Sequence, residues 1–133
     1  MTSTETLQDW LALEHEAVWL YPVIGARYDA LADRARTAYD DHGTVRDGLL
    51  ARLHQIKVEP VPPALSYDVV RLRTKARALA TARQLERDIA AVCLTLAGDS
   101  TDDLRTYATR GLRRAALAEL TWGGRPSAFP GLS

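Results

Sequence analysis

The sequence predicts an all-α protein: an antiparallel four-helix bundle with a long crossover between its second and third helices. Two observations carry that expectation. Apolar residues recur in steps of three and four over four segments, at about residues 5–28, 31–57, 74–97 and 101–122. The links between those segments are short, long and short, and the long one, at about 58–73, holds Pro60, Pro62 and Pro63. Short links join antiparallel neighbours. A long link lets the chain travel back along the bundle before the next helix begins.

The first helix opens at Thr4 or Thr6, where a hydroxyl can cap the first turn. Its stripe is Leu7, Leu11, Val18, Tyr21, Gly25 and Tyr28. Pro22 lies inside the stripe and is expected to kink the helix, because it removes one backbone donor. The second stripe is Leu31, Ala35, Ala38, Val45, Leu49, Leu53 and Ile56. Gly43 and Gly48 weaken that helix by roughly 1 kcal/mol each relative to alanine, which burial of the stripe must offset.

The prolines that follow forbid helix and favour an extended path. The β-branched run Tyr67–Arg73 is expected to continue it. At roughly 3.1 Å per residue, about sixteen extended residues reach about 50 Å. A helix of about 25 residues is only about 38 Å long, so the link can run the length of the bundle. The third stripe is Leu79, Ala82, Ile89, Cys93 and Leu96, stopped by Gly98-Asp99-Ser100. The fourth helix opens at Ser100 or Thr101 with Asp102 and Asp103 in its first turn, and ends at Gly123-Gly124. Its inner face is small: Leu104, Ala108, Gly111, Ala115 and Ala118. Phe129, in an irregular tail, is expected to dock on the bundle.

Composition bounds the function. A chain of 133 residues with 47 % apolar content fits one domain with one core. Seventeen basic residues balance seventeen acidic ones. That balance gives no reason to expect nucleic acid or an anionic membrane as partner, since both need a basic excess. Cys93 is single and cannot form an internal disulfide. The polar start Met1–Glu5 lacks the pattern of a signal peptide, and no apolar run is long enough to span a bilayer. A cytoplasmic location is expected.

Three polar residues interrupt the stripes, one per helix: Glu14, His42 and Glu86. Each lies near the middle of its helix, so all three fall within roughly 5 Å of one level along the bundle axis. A carboxylate or imidazole in a bundle core is costly unless paired or metal-bound. Two readings follow. One is a hydrogen-bonded cluster with protonated His42 between Glu14 and Glu86; in it, His42→Leu is expected to be tolerated. The other is a single iron or manganese ion held by the same three side chains. A di-metal centre needs more. It takes a glutamate from each of two helices and Glu-x-x-His from the other two. Here Tyr39 stands where the second helix needs a carboxylate, and Gly111, Leu112 and Ala115 cannot ligate. No other cofactor is expected. Arg110, Arg113 and Arg114 stand near that depth, and one could turn inward to neutralise a glutamate.

Other residues carry less. His15 is expected at the rim, His54 exposed, and Cys93 buried as a small hydrophobe. Trp10 and Trp122 suit the core, while Trp19, off the stripe, is the expected contact of a homodimer. The chain has no phosphate loop, no nucleophile elbow and no second cysteine for zinc, and no catalytic set is identified.

Several motifs, in order and spacing, resemble a known group. They are Glu14-His15-Glu16-Ala17-Val18, Gly25-Ala26-Arg27, His42-x-x-x-Arg46-Asp47-x-Leu49, Pro60-Val61-Pro62-Pro63 with Tyr67, and Ala128-Phe129-Pro130-Gly131-Leu132. Together they look like an actinobacterial family of uncharacterised ferritin-like domains, over about Leu7 to Leu132. The resemblance implies a ferritin-like bundle, no established activity, and Glu14, His42 and Glu86 as remnants of metal ligands. Three roles are then open. The chain is a non-catalytic bundle acting through its surface, a metal protein with a reduced site, or a small-ligand carrier. The last would use a cavity left by the small face of the fourth helix against Tyr39 and the polar cluster.

Overall fold

The computed structural model describes residues 1–126 and 130. Among the described residues the chain forms four α-helices, as expected: α1 Ser3–Arg27, α2 Ala32–Gln55, α3 Lys75–Asp99 and α4 Asp102–Thr121. Two 3-10 turns, Asp29–Leu31 and Val70–Leu72, precede α2 and α3. The expected docking of Phe129 lies outside the described residues.

Local chemistry sets the helix ends. The cap of α1 is Thr2, earlier than the threonines expected for it. The Thr2 hydroxyl accepts from the Glu5 amide at 3.1 Å, and the Glu5 carboxylate accepts from the Thr2 amide at 3.0 Å. The helix then runs through Pro22 to Arg27. Leu20, Tyr21 and Ile24 are fully buried around the proline, and that packing offsets the lost bond. Helix α2 closes with Val58 N–H on Leu53 O and Lys57 N–H on His54 O, both at 3.0 Å. This pairing needs Lys57 at φ 59°, a position usually given to glycine. Helix α4 closes in the same way, with Gly123 at φ 92°. Helix α3 extends through Gly98 to Asp99, beyond its expected stop.

The crossover does run along the bundle, held by α1. Gln8 anchors its start: the side chain donates to Glu59 O at 2.9 Å and accepts from Val61 N at 2.8 Å. The Trp19 ring then packs on Tyr67, with centroids 5.1 Å apart. Arg71 pairs with Glu16 at 3.0 Å, and the Tyr28 hydroxyl donates to Leu72 O. From Gln8 to Tyr28 the helix advances about 30 Å. A proline-rich segment has few backbone partners of its own, so side chains of α1 supply them. One expectation is corrected here. Val70–Leu72 is a 3-10 turn rather than extended, because Asp68 accepts from the Val70 amide at 2.8 Å and Leu72 is buried. Trp19 is partly buried against Tyr67 of its own chain.

Helix α1 packs along α2 and α3, and α3 packs along α4. The fourth side of the square, between α2 and α4, is bridged by long side chains instead. Arg52 pairs with Asp103 at 3.0 Å and lies 3.8 Å from the centre of the Tyr107 ring. Arg34 donates to Thr121 O at 3.1 Å. On the diagonal, Trp10 of α1 reaches α4 because Gly111 has no side chain. A Cβ there would sit 2.5 Å from Trp10 Cη2 and 2.8 Å from Cys93 Sγ. Neither neighbour can move, since both are fully buried. Gly111→Ala is therefore expected to destabilise by about 1–3 kcal/mol through overpacking, despite alanine's better helix propensity. Urea unfolding of the two proteins checks it; an unchanged or raised midpoint would contradict the packing described.

Candidate functional site

At mid-bundle, α1 supplies Trp10, Glu14 and Tyr21, placed on one face by steps of four and seven. Helix α2 supplies His42 and α3 supplies Glu86. The structure brings Glu14, His42 and Glu86 into one hydrogen-bonded chain. His42 Nδ1 meets Glu14 Oε1, and Nε2 meets Glu86 Oε2 at 2.8 Å. Trp10 Nε1 donates to Glu14 Oε2 at 2.9 Å, and the Tyr21 hydroxyl donates to Glu86 Oε2 at 2.6 Å. Exposure is 1 % at Glu14, 8 % at His42 and 0 % at Glu86.

Both ring nitrogens of His42 face carboxylate oxygens, so both carry a proton and the ring is an imidazolium. Burial by itself would lower the His42 pKa. The charges of Glu86 and Glu14 and their hydrogen bonds outweigh it and raise the value to about 10. Burial, followed by the Glu86 charge, holds the Tyr21 hydroxyl protonated well above its ordinary range. The rings stack in a column. Arg34 lies over Trp122 at 5.5 Å, Trp122 on Tyr21 at 5.1 Å, and Tyr21 on His42 at 5.3 Å. That column fixes the plane of the imidazolium.

As placed, both ring nitrogens of His42 are turned to carboxylate oxygens and neither to a free position. A histidine ligand needs a lone pair on one nitrogen, and here both nitrogens are committed as donors to carboxylates. Among the described residues, no three His, Cys, Asp or Glu side chains are placed to hold a metal ion.

Several expected neighbours lie elsewhere. Tyr39 is 43 % exposed and stands off the cluster. Arg110 and Arg113 are exposed. Arg114 is exposed as well, but lines the cleft above the cluster. No arginine bonds to Glu14 or Glu86 among the described residues. The donors are Trp10 and Tyr21 instead, both read from the sequence as plain core. Their sequence signal was the helical spacing from Glu14. His15, expected at the rim, is 8 % exposed; its Nε2 lies 2.9 Å from Val61 O and fastens the crossover. Cys93 is buried as expected, and burial raises its thiol pKa. His54 is exposed as expected.

Above the cluster the open side between α2 and α4 forms a cavity of about 500 Å³. Its apolar walls include Val45, Ile89, Ala115, Ala118 and Trp122, and Glu14, His42 and Glu86 lie at its floor. Exposed Asp33, Arg34, Asp41 and Arg114 rim it. Glu86 Oε1 is buried with no hydrogen-bond partner.

Fold and site thus define an all-α four-helix protein with a buried acid–imidazolium cluster under a lateral cleft. A family model described as a domain of unknown function (DUF4439) matches residues 6–133, and the chain belongs to that family. A crystal structure of a conserved hypothetical protein from Mycobacterium tuberculosis shares the fold, with TM-score 0.84, 23 % identity and 96 % of each chain covered. No curated protein matches the chain. No helix among the described residues is long and apolar enough to cross a membrane.

The geometry reverses one expectation. His42→Leu removes the only cation between two buried carboxylates, and breaking a buried ion pair from one side typically costs about 3–5 kcal/mol. We expect a loss of that size in urea unfolding, and a smaller one in Glu14→Met/His42→Leu/Glu86→Met, where no charge is stranded. The cluster also predicts a pH dependence. Folding raises the His42 pKa from 6.5 to about 10. Its contribution is therefore complete below about pH 6.5 and disappears as the pH rises through about 10. The urea midpoint of the native protein should fall across that window, and the decline should be absent in His42→Gln.

Proposed function

We propose that this protein is a non-catalytic, ferritin-like bundle that binds a small, largely apolar molecule in the cleft between α2 and α4. The ferritin-like assignment rests on topology: two antiparallel helix pairs joined by a crossover that runs along α1. The binding reading rests on one observation, the cavity of about 500 Å³ with apolar walls and a polar floor. Ligand sites are typically clefts of about 300–1,000 Å³ with few, well-placed polar groups. The small residues Ala115 and Ala118 make the room, and the arginines bridging α2 and α4 hold the two helices apart. A cytoplasmic location and a homodimer remain part of the proposal. A second copy could use the part of Trp19 left exposed, together with Leu120.

The neutral dye N-phenyl-1-naphthylamine tests the cleft. Its fluorescence should rise saturably at about one molecule per chain. Ala118→Trp and Val45→Phe, each confirmed folded by circular dichroism, should fill the cavity and abolish the signal. No saturable binding, or binding undiminished in both variants, would sink the reading.

A further inference from the structure

The charges of this chain balance in number but not in space. Helices α1 and α4 finish, and α2 and α3 begin, at one end of the bundle. Residues 27–36, 68–77 and 119–125 form that end and hold eight basic and four acidic side chains. At the opposite end, residues 1–9, 52–59 and 99–105 hold three basic and six acidic ones. The net charge of zero therefore hides a basic end and an acidic end. Salt screens distant charges, so a charged partner responds to the local excess and not to the total. The basic end is densest where the crossover enters α3. Arg73, Lys75 and Arg77 are exposed there, and among the described residues no carboxylate pairs with any of them. Arg71, beside them, pairs with Glu16.

Apolar side chains project from the same segment. Leu65 is fully exposed, and Val69 and Val70 are 44 % and 41 % exposed. The backbone that carries the valines is pinned. Asp68 Oδ1 accepts from Val70 N–H at 2.8 Å, and Leu72, two residues on, is fully buried. The Tyr28 hydroxyl donates to Leu72 O, and the Thr81 hydroxyl donates to Arg71 O at 3.2 Å. The contacts that turn Leu72 inward thus hold the valines out in solvent. Val70, Arg71 and Arg77 line one shallow groove with Ala80 and Thr81, which puts apolar and basic side chains on one surface. That surface shares no residue with the walls of the cleft between α2 and α4.

We propose that this patch is a docking surface for an anionic lipid bilayer. Arg73, Lys75 and Arg77 meet the headgroup phosphates. Leu65, Val69 and Val70 enter the boundary between headgroups and acyl chains. Segments that lie on membranes combine these two elements, apolar burial and attraction to anionic lipid. A fluid interface accepts projecting side chains without a shaped pocket, which suits a residue as exposed as Leu65. Nucleic acid would use the cations but gain nothing from the aliphatic side chains. It would also find no free ring for a base to stack on, since Tyr67 is packed against Trp19. Each basic residue close to an anionic surface is worth roughly fivefold in affinity, so the three together are worth about a hundredfold.

Co-sedimentation with extruded vesicles tests the patch. The native protein should bind vesicles of mixed phosphatidylglycerol and phosphatidylcholine at least about tenfold more tightly than pure phosphatidylcholine, and high salt should release it. Arg73→Gln/Lys75→Gln/Arg77→Gln should weaken that binding about a hundredfold. Leu65→Ser/Val69→Ser/Val70→Ser should weaken it at least about tenfold. Both variants change exposed side chains only, and circular dichroism checks their fold. No binding to either vesicle, equal binding to both, or binding undiminished in either folded variant would overturn the proposal. Tighter binding to a short DNA duplex than to the anionic vesicles would overturn it in favour of nucleic acid. Salt-sensitive self-association without vesicle binding, lost in the Arg73/Lys75/Arg77 variant, would overturn it in favour of the acidic end of a second copy. The native protein's choice between the two vesicles decides the question if a variant does not fold.

Discussion

The structure turns on one interaction, the imidazolium of His42 held between Glu14 and Glu86. It joins α1, α2 and α3 at one level, and it does so with charges that cannot be left alone in a core. Each carboxylate takes a second donor, Trp10 or Tyr21, so the cluster reads into the aromatic packing around it. Tyr21 then stacks on His42 and on Trp122. Packing and electrostatics therefore fix the same side chains, and neither can be altered without the other. Such clusters are not inherently stabilising, because desolvation opposes the attraction. What this one supplies is a particular register of three helices.

The fourth side is where α4 should complete the square. It offers Gly111, Ala115 and Ala118 where the other helices offer large or charged groups. Gly111 is consumed by Trp10, which comes across the diagonal to touch it. The alanines face space. The result is a bundle well packed on three sides and open on the fourth, with the cluster buried beneath the opening. The cavity has a plain cause: the fourth helix contributes little volume at this depth.

The crossover shows how a segment without regular structure can be well placed. Its prolines deny it backbone partners, and α1 supplies substitutes at Gln8, His15 and Tyr28, while Glu16 accepts from the Arg71 side chain. His15 sits one step from the core stripe, so periodicity alone puts it at a rim. Only the passage of the crossover over it turns that rim into buried surface. Trp19 shows the same effect: an aromatic off the stripe needs a partner, and one came from a loop whose path the pattern does not specify.

The sequence by itself determined the number and extent of the helices and the length of the crossover, because these follow from apolar spacing and from proline. It also determined that Glu14, His42 and Glu86 share a depth, because rise per residue is constant. Helix caps were less legible, since Thr2, Thr4 and Thr6 have equal chemistry and only the completed box with Glu5 selects the first. What only the tertiary structure decided is which groups face one another. Rotation about each helix axis put Tyr21 and Trp10 on the carboxylates and left Arg110, Arg113 and Tyr39 outside. The separation of α2 from α4 turned a stripe of small residues into a cavity. Spacing along a helix is a local property; orientation across a bundle depends on every contact at once.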